Sequence, residues 1–149
     1  MTEIAWNIEE EPLLEDESVR AAVCEALRFG GRSGALLAIV FVTDPVLLEM
    51  HAVHLNDPTE TDVISFDLGE EGEGPVGELY VSVDRARSIA EQRCVSLARE
   101  LTLYVVHGVL HLCGYDDHED EDRKEMRQAE NEVMKVLGFP PDERPHELD

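Results

Sequence analysis

His107 and His111 stand four residues apart in the stretch His107-Gly108-Val109-Leu110-His111-Leu112-Cys113-Gly114-Tyr115-Asp116-Asp117-His118. On a helix that spacing puts both imidazoles on one face, one turn apart. Two rings so placed can each turn a nitrogen toward one ion about 2 Å away, the usual geometry of zinc. The preceding run, Leu97 to Val106, is mostly apolar and free of Gly and Pro. Its apolar positions Leu97, Ala98, Leu101, Tyr104 and Val105 predict a buried helix. Burying two imidazoles at the end of such a helix is costly unless something engages them. Gly114 supplies the left-handed turn that ends the helix most cheaply. The chain then folds back, and a third ligand can come from Asp117 or His118.

The pair alone is a weak signal, because surface helices carry His-x-x-x-His by chance. The residues after the pair strengthen it. Gly comes three residues after the second His, and a carboxylate comes three beyond that. This is the spacing of the metzincin zinc proteases, His-Glu-x-x-His-x-x-Gly-x-x-His. The residue after His107 is Gly108 and not Glu, so the general base of those proteases is missing. The pattern predicts a metal site and argues against peptide hydrolysis by that route.

The segment His-Gly-Val-Leu-His-Leu-Cys-Gly-Tyr-Asp at 107–116 closely resembles the signature of the YbeY family, bacterial metal-dependent endoribonucleases of ribosomal RNA maturation and ribosome quality control. Two further segments agree. Asp57-Pro58-Thr59-Glu60-Thr61-Asp62-Val63-Ile64-Ser65-Phe66 is similar to the family's Pro-Thr-Asp-Val-Leu-Ser-Phe strand, with Glu60 where Pro is usual. Gly77-Glu78-Leu79-Tyr80-Val81-Ser82 is similar to its Gly-Glu-Ile strand. The likeness runs roughly from residue 36 to 138 in the family's order. It implies an α+β fold, one zinc ion held by three side chains, and hydrolysis of single-stranded RNA. The implied partners are ribosomal RNA and ribosomal small-subunit proteins.

This chain departs from the family in two places. Relatives usually carry a third His six residues after the second; that position here is Asp117, and His118 comes one residue later. Counting without gaps brings Glu125-Met126 into the family's register, so Asp117 takes the ligand position and His118 is the alternative. Asp is a competent zinc ligand, at about 2.0–2.2 Å. The Arg common six residues before the Thr of the Thr-Asp-Val strand falls on Leu55. Another group must then meet phosphate, and Arg85 and Arg87 are the candidates. Asp116 is placed either as a catalytic base or as the acceptor that orients a ligand imidazole. Two rival readings stand beside the nuclease. One is a ribosome-associated binding protein with a structural zinc, closed by Cys113 as fourth ligand. The other is a metallohydrolase of another substrate class.

Composition bounds the rest. A chain of 149 residues with 43% hydrophobic residues reads as one globular domain. No apolar run reaches about 18 residues, so no membrane span is expected. Met1-Thr2-Glu3-Ile4 lacks the basic start and apolar core of a signal peptide. Cys24, Cys94 and Cys113 are odd in number and widely spaced, which suits a reduced, cytoplasmic chain. Cys113 reads as packing more than as a ligand. Charge opposes the RNA reading: 12 Lys and Arg face 34 Asp and Glu, a net −22, whereas nucleic-acid binders usually show a basic face. The acid is concentrated at 9–17, 70–73, 116–122 and 142–149, while Arg85, Arg87, Arg93 and Arg99 lie close in sequence. A local positive cleft inside a repulsive rim is the expectation, with RNA binding that depends on salt or on a ribosomal partner.

Periodicity supplies the elements that must position these residues. Ile4 to Ile8 alternates and predicts an edge strand. Asp16 or Ser18 caps a helix to Phe29, with Val19, Ala22, Val23, Ala26 and Leu27 on its apolar stripe, and Gly30-Gly31 stops it. Ala35 to Val42 is apolar on both faces and predicts a central strand. Thr43 or Asp44 with Pro45 opens a helix to about His54. Thr61 to Leu68 and Gly77 to Val83 are strands joined by the acidic loop 69–75. Asp84 caps a helix to about Arg93, Ser96 caps the His-bearing helix, and an amphipathic helix runs from Asp120 to Leu137. His51, His54 and His146 read as surface residues. Asp62 is as well suited to bridging strands as to catalysis, Ser65 lacks a neighbouring base, and Tyr115 reads as packing. With the fold that the resemblance implies, these elements give the expectation of an α+β class: a single domain over 1–138 with a four-stranded mixed sheet against about five helices. The metal site lies at the end of a central buried helix, and 139–149 is an acidic, mobile tail. Metal analysis separates the two candidate third ligands. Metal content should fall in His111→Ala and Asp117→Ala and persist in His118→Ala; the opposite result for the last two reverses the ligand assignment.

Overall fold

The structure is a computed structural model that describes residues 2–32, 36–47, 49, 63–67, 76–115 and 119–139, with side chains described except at 64–67 and 76. The architecture is α+β in one domain. Four strands, β1 (Thr2–Trp6), β2 (Leu36–Val42), β3 (Val63–Asp67) and β4 (Val76–Ser82), lie in the order β1-β2-β4-β3. The first, second and fourth run parallel, and β3 pairs antiparallel with β4 at the edge. In this register Ile4 stands beside Ile39, and Ile39 beside Leu79. Alternation then sorts the faces. Leu37, Ile39, Phe41, Leu79 and Val81 join the main core, while Val40 and Tyr80 pack with Val42 and Leu47 in a smaller cluster. This is why β2 reads as apolar throughout: each of its faces has something to bury against.

The first strand begins two residues earlier than its alternation suggests, and Asn7 beyond it still donates its N–H to Phe41 O at 2.8 Å. Trp6 stacks on Phe41 with ring centroids 3.8 Å apart. That contact holds the edge strand to its neighbour by more than the ladder alone.

Among the described residues four helices occupy expected spans: α1 (Asp16–Phe29), α2 (Val83–Arg93), α3 (Leu97–Leu112) and α4 (Asp120–Val136). A helical turn at 44–47 opens where Pro45 predicts; its continuation toward His54 lies outside the described residues. Two caps differ from expectation. Glu15, not Asp16 or Ser18, is the N-cap of α1 and makes no side-chain cap bond; Asp16 and Glu17 sit in the first turn, where negative charge suits the helix dipole. Ser82, not Asp84, caps α2 by accepting from Arg85 N–H at 2.9 Å. Asp84 has another partner: its Oδ2 accepts the N–H of Asp44 at 2.9 Å. The Ser82 hydroxyl donates to Asp44 Oδ1, so one small network ties the start of α2 to the turn at 44. Ser96 caps α3 as expected, accepting from Arg99 N–H at 3.1 Å.

The third helix is the centre of the molecule. Every residue from Arg99 to Leu110 is buried, and α1, α2, α4, β3 and β4 all touch it. Phe139, assigned from sequence to the tail, packs against the core and donates its N–H to Met134 O; 140–149 and the loops at 56–58 and 69–75 lie outside the described residues. At Gly108 the helix α3 packs tightly on the sheet. A methyl group there would come within 2.8 Å of Leu79 Cδ2 and 3.3 Å of Val63 Cγ2, and Leu79 is fully buried. Glycine inside a helix costs about 1 kcal/mol relative to alanine, and close packing offsets that. Gly108→Ala should therefore destabilise the protein: overpacking of about 1–3 kcal/mol exceeds the propensity gain. Urea unfolding tests this, and an unchanged or raised midpoint would contradict it.

Candidate metal centre

The last two turns of α3 bring His107 and His111 together. Their ring centroids are 4.6 Å apart and their planes cross at 84°. His107 is buried at 1% exposure, and His111, one turn on, is half-buried. The burial of α3 thus ends within one helical turn, between the two imidazoles. The helix stops as the sequence predicts. Gly114 adopts φ +106, its N–H donates to His111 O at 3.0 Å, and Tyr115 N–H donates to Leu110 O at 3.0 Å. These paired bonds fold the chain back onto the His111 turn.

A third residue reaches the pair from α4. Glu130 Oε2 lies 2.6 Å from His107 Nδ1, and both side chains are 2% exposed. Arg127 Nη1 stands 3.8 Å from the other carboxylate oxygen, Glu130 Oε1. The sequence motif around the histidines does not point to Glu130, yet a signal exists. Met126, Ala129, Val133 and Met134 form the buried stripe of α4, and Glu130 has the same phase. A charged residue inside an apolar stripe needs a buried partner, since removing a carboxylate from water costs several kcal/mol.

Asp116, Asp117 and His118 lie outside the described residues, as do His51, His54, Leu55, Asp62 and His146; the Ser65 side chain is also not described. Among the described residues no group of three His, Cys, Asp or Glu side chains could hold a metal ion. Cys113 belongs to the core, and its Sγ sits where a methyl on Gly30 would meet it at 2.6 Å. Burial pushes the Cys113 thiol up in pKa, and the Arg32 charge offsets part of this. Tyr115 is half-buried, with its ring 6.3 Å from that of Phe29. Both residues pack the end of α3 against α1.

Among the described residues the arginines are differently placed. Arg99 is 6% exposed, with Nη1 3.4 Å from the buried Glu100 Oε1, so it belongs to the core and not to an RNA surface. Arg87 is exposed, but its Nη2 lies 3.0 and 2.9 Å from the two carboxylate oxygens of Glu10. Arg85 is half-buried in the first turn of α2. A surface cleft of about 670 Å³ opens beside that turn, and its charged lining, Glu9, Glu10 and Asp84, would repel phosphate. No described helix is long and apolar enough to cross a membrane.

The model of a family described as endoribonuclease YbeY matches residues 7–138. A relative of that description from Flavobacterium psychrophilum is 37% identical over 90% of this chain and 96% of its own. One from Bacillus licheniformis is 34% identical over 93% and 94%. The solution structure of a Thermotoga maritima protein aligns with a TM-score of 0.63 at 24% identity, covering 92% of this chain and 89% of that one; this likeness concerns the fold.

The placement of the thiols can be checked directly. Cys24 and Cys94 are exposed and Cys113 is buried, so a thiol reagent should modify two cysteines quickly in the native protein. The third should react only as the structure opens. Fast native labelling of Cys113 would mean that its packing against Gly30 is wrong.

Proposed function

The chain belongs to the endoribonuclease YbeY family, and from that premise we propose that it cleaves single-stranded RNA with one zinc ion held by His107, His111 and Asp117. The observation that carries the reading is the pair of crossed imidazoles, 4.6 Å apart, at the point where a buried helix reaches the surface. Glu130 engages Nδ1 of His107, which leaves Nε2 as the nitrogen to face an ion. Imidazole and carboxylate donors suit zinc. When bound, the ion would supply a Lewis acid for a phosphoryl oxygen and would make water a nucleophile near neutral pH.

The protein's own groups have distinct tasks in this scheme. His107 and His111 would hold the ion, with His118 the alternative to Asp117 as third donor. Asp116 accepts a proton or orients a ligand ring. Three protein donors leave one position open, as catalytic sites do, whereas structural sites close with four. The packing of Cys113 against Gly30 favours the open arrangement over a closed structural zinc. Arg85 and Arg87 are the phosphate contacts, and Arg87 must exchange Glu10 for RNA.

A net charge of −22 works against capture of free RNA, because phosphate contacts need local cations. Ribosomal RNA presented with small-subunit proteins is the substrate that fits such a chain. The corresponding roles are ribosomal RNA processing and ribosome quality control in the cytoplasm. Cleavage of a single-stranded RNA should disappear on chelation, return with zinc, and drop to the metal-free background in His111→Ala. Cleavage that survives both chelation and His111→Ala would refute the proposal.

A further inference from the structure

We propose that Glu130 is a positioning residue for the metal centre: through Nδ1 it fixes the rotation and tautomer of His107, so that the Nε2 lone pair is aimed at the ion. This rests on the metal reading and adds a residue to it. A neutral imidazole carries its proton on one nitrogen and a lone pair on the other. A carboxylate oxygen accepts, so the Glu130 oxygen 2.6 Å from Nδ1 places the proton on Nδ1. The lone pair then falls on Nε2, the nitrogen a metal needs. With the other tautomer, Nε2 would carry a hydrogen and could not ligate. Arg127 Nη1 lies 3.8 Å from the second oxygen, so the carboxylate has a partner on each side.

The burial of the pair supports a positioning task. Glu130 and His107 are both almost wholly inside the protein, on different helices, 23 residues apart. A buried charged pair is weak evidence of stabilisation, since well-packed apolar side chains of similar volume often do as well or better. Glu130 shares the buried stripe of α4 with Met126, Ala129, Val133 and Met134, all of them apolar. Ligand imidazoles generally donate their second N–H to a carboxylate, carbonyl or water, which raises their basicity and fixes the ring.

The test uses the full chain, first without metal. Long-range proton–nitrogen NMR of the wild type should show His107 protonated on Nδ1 and unprotonated on Nε2; the reverse tautomer overturns the proposal without any variant. Glu130→Met keeps the volume and removes the acceptor. Its zinc affinity, measured by competition with a chelator, should fall about 10–100-fold, with mixed tautomers at His107 and an unchanged circular dichroism spectrum. Wild-type zinc affinity and a single tautomer in folded Glu130→Met would overturn the role of Glu130 alone. A wild type that binds no zinc would overturn the metal reading and this inference together.

Discussion

The structure depends on a helix that has no solvent-facing side for most of its length. Residues 99–110 of α3 are all buried, between the sheet on one hand and α1, α2 and α4 on the other. In such surroundings each polar group must meet another inside the protein. Arg99 lies beside Glu100, and His107 meets Glu130. The imidazole that would grip an ion is thus held by the core itself, while its neighbour one turn later is half exposed. Rigidity at one nitrogen and access at the next residue are what a ligand set requires.

The same burial accounts for the difference from the zinc proteases. Their spacing is present in the sequence, but the position after the first His faces the sheet. At Gly108 even one added carbon would collide with Leu79. A glutamate there would have to displace the buried Leu79 side chain. Helix and sheet are therefore close because the residue is small, and the base used by those proteases is excluded by packing.

Much of this was legible in the sequence, and the limits have physical causes. The apolar periods of α1 and α4 and the continuous run of β2 placed those elements to within a few residues. Gly114 announced the end of α3 because its positive φ permits the tight return at little cost. Caps were harder. Ser82 and Asp84 are both good cap residues, and the choice was made by Asp44, 40 residues away from Asp84, which engages both side chains. Arg87 reads as a surface cation until Glu10, 77 residues distant, is placed beside it. Arg99 likewise reads as solvated, because nothing local says that α3 is covered on that side. Glu130 was hidden because a single charge in an amphipathic stripe passes for noise until its partner on another helix is seen. The histidine pair was legible because both residues lie on one helix.

An acidic chain acting on RNA calls for a site whose chemistry does not depend on broad electrostatic attraction. The proposed divalent ion would supply such a site, since its charge would act locally and not across the surface. X-ray absorption at the zinc edge tests this account most directly, because it reads the donors around the ion in solution. The account predicts nitrogen and oxygen donors only, near about 2.0–2.1 Å, with the scattering pattern of two imidazoles. A sulfur shell at about 2.3 Å would contradict it, for it would place Cys113 on the metal and close the site.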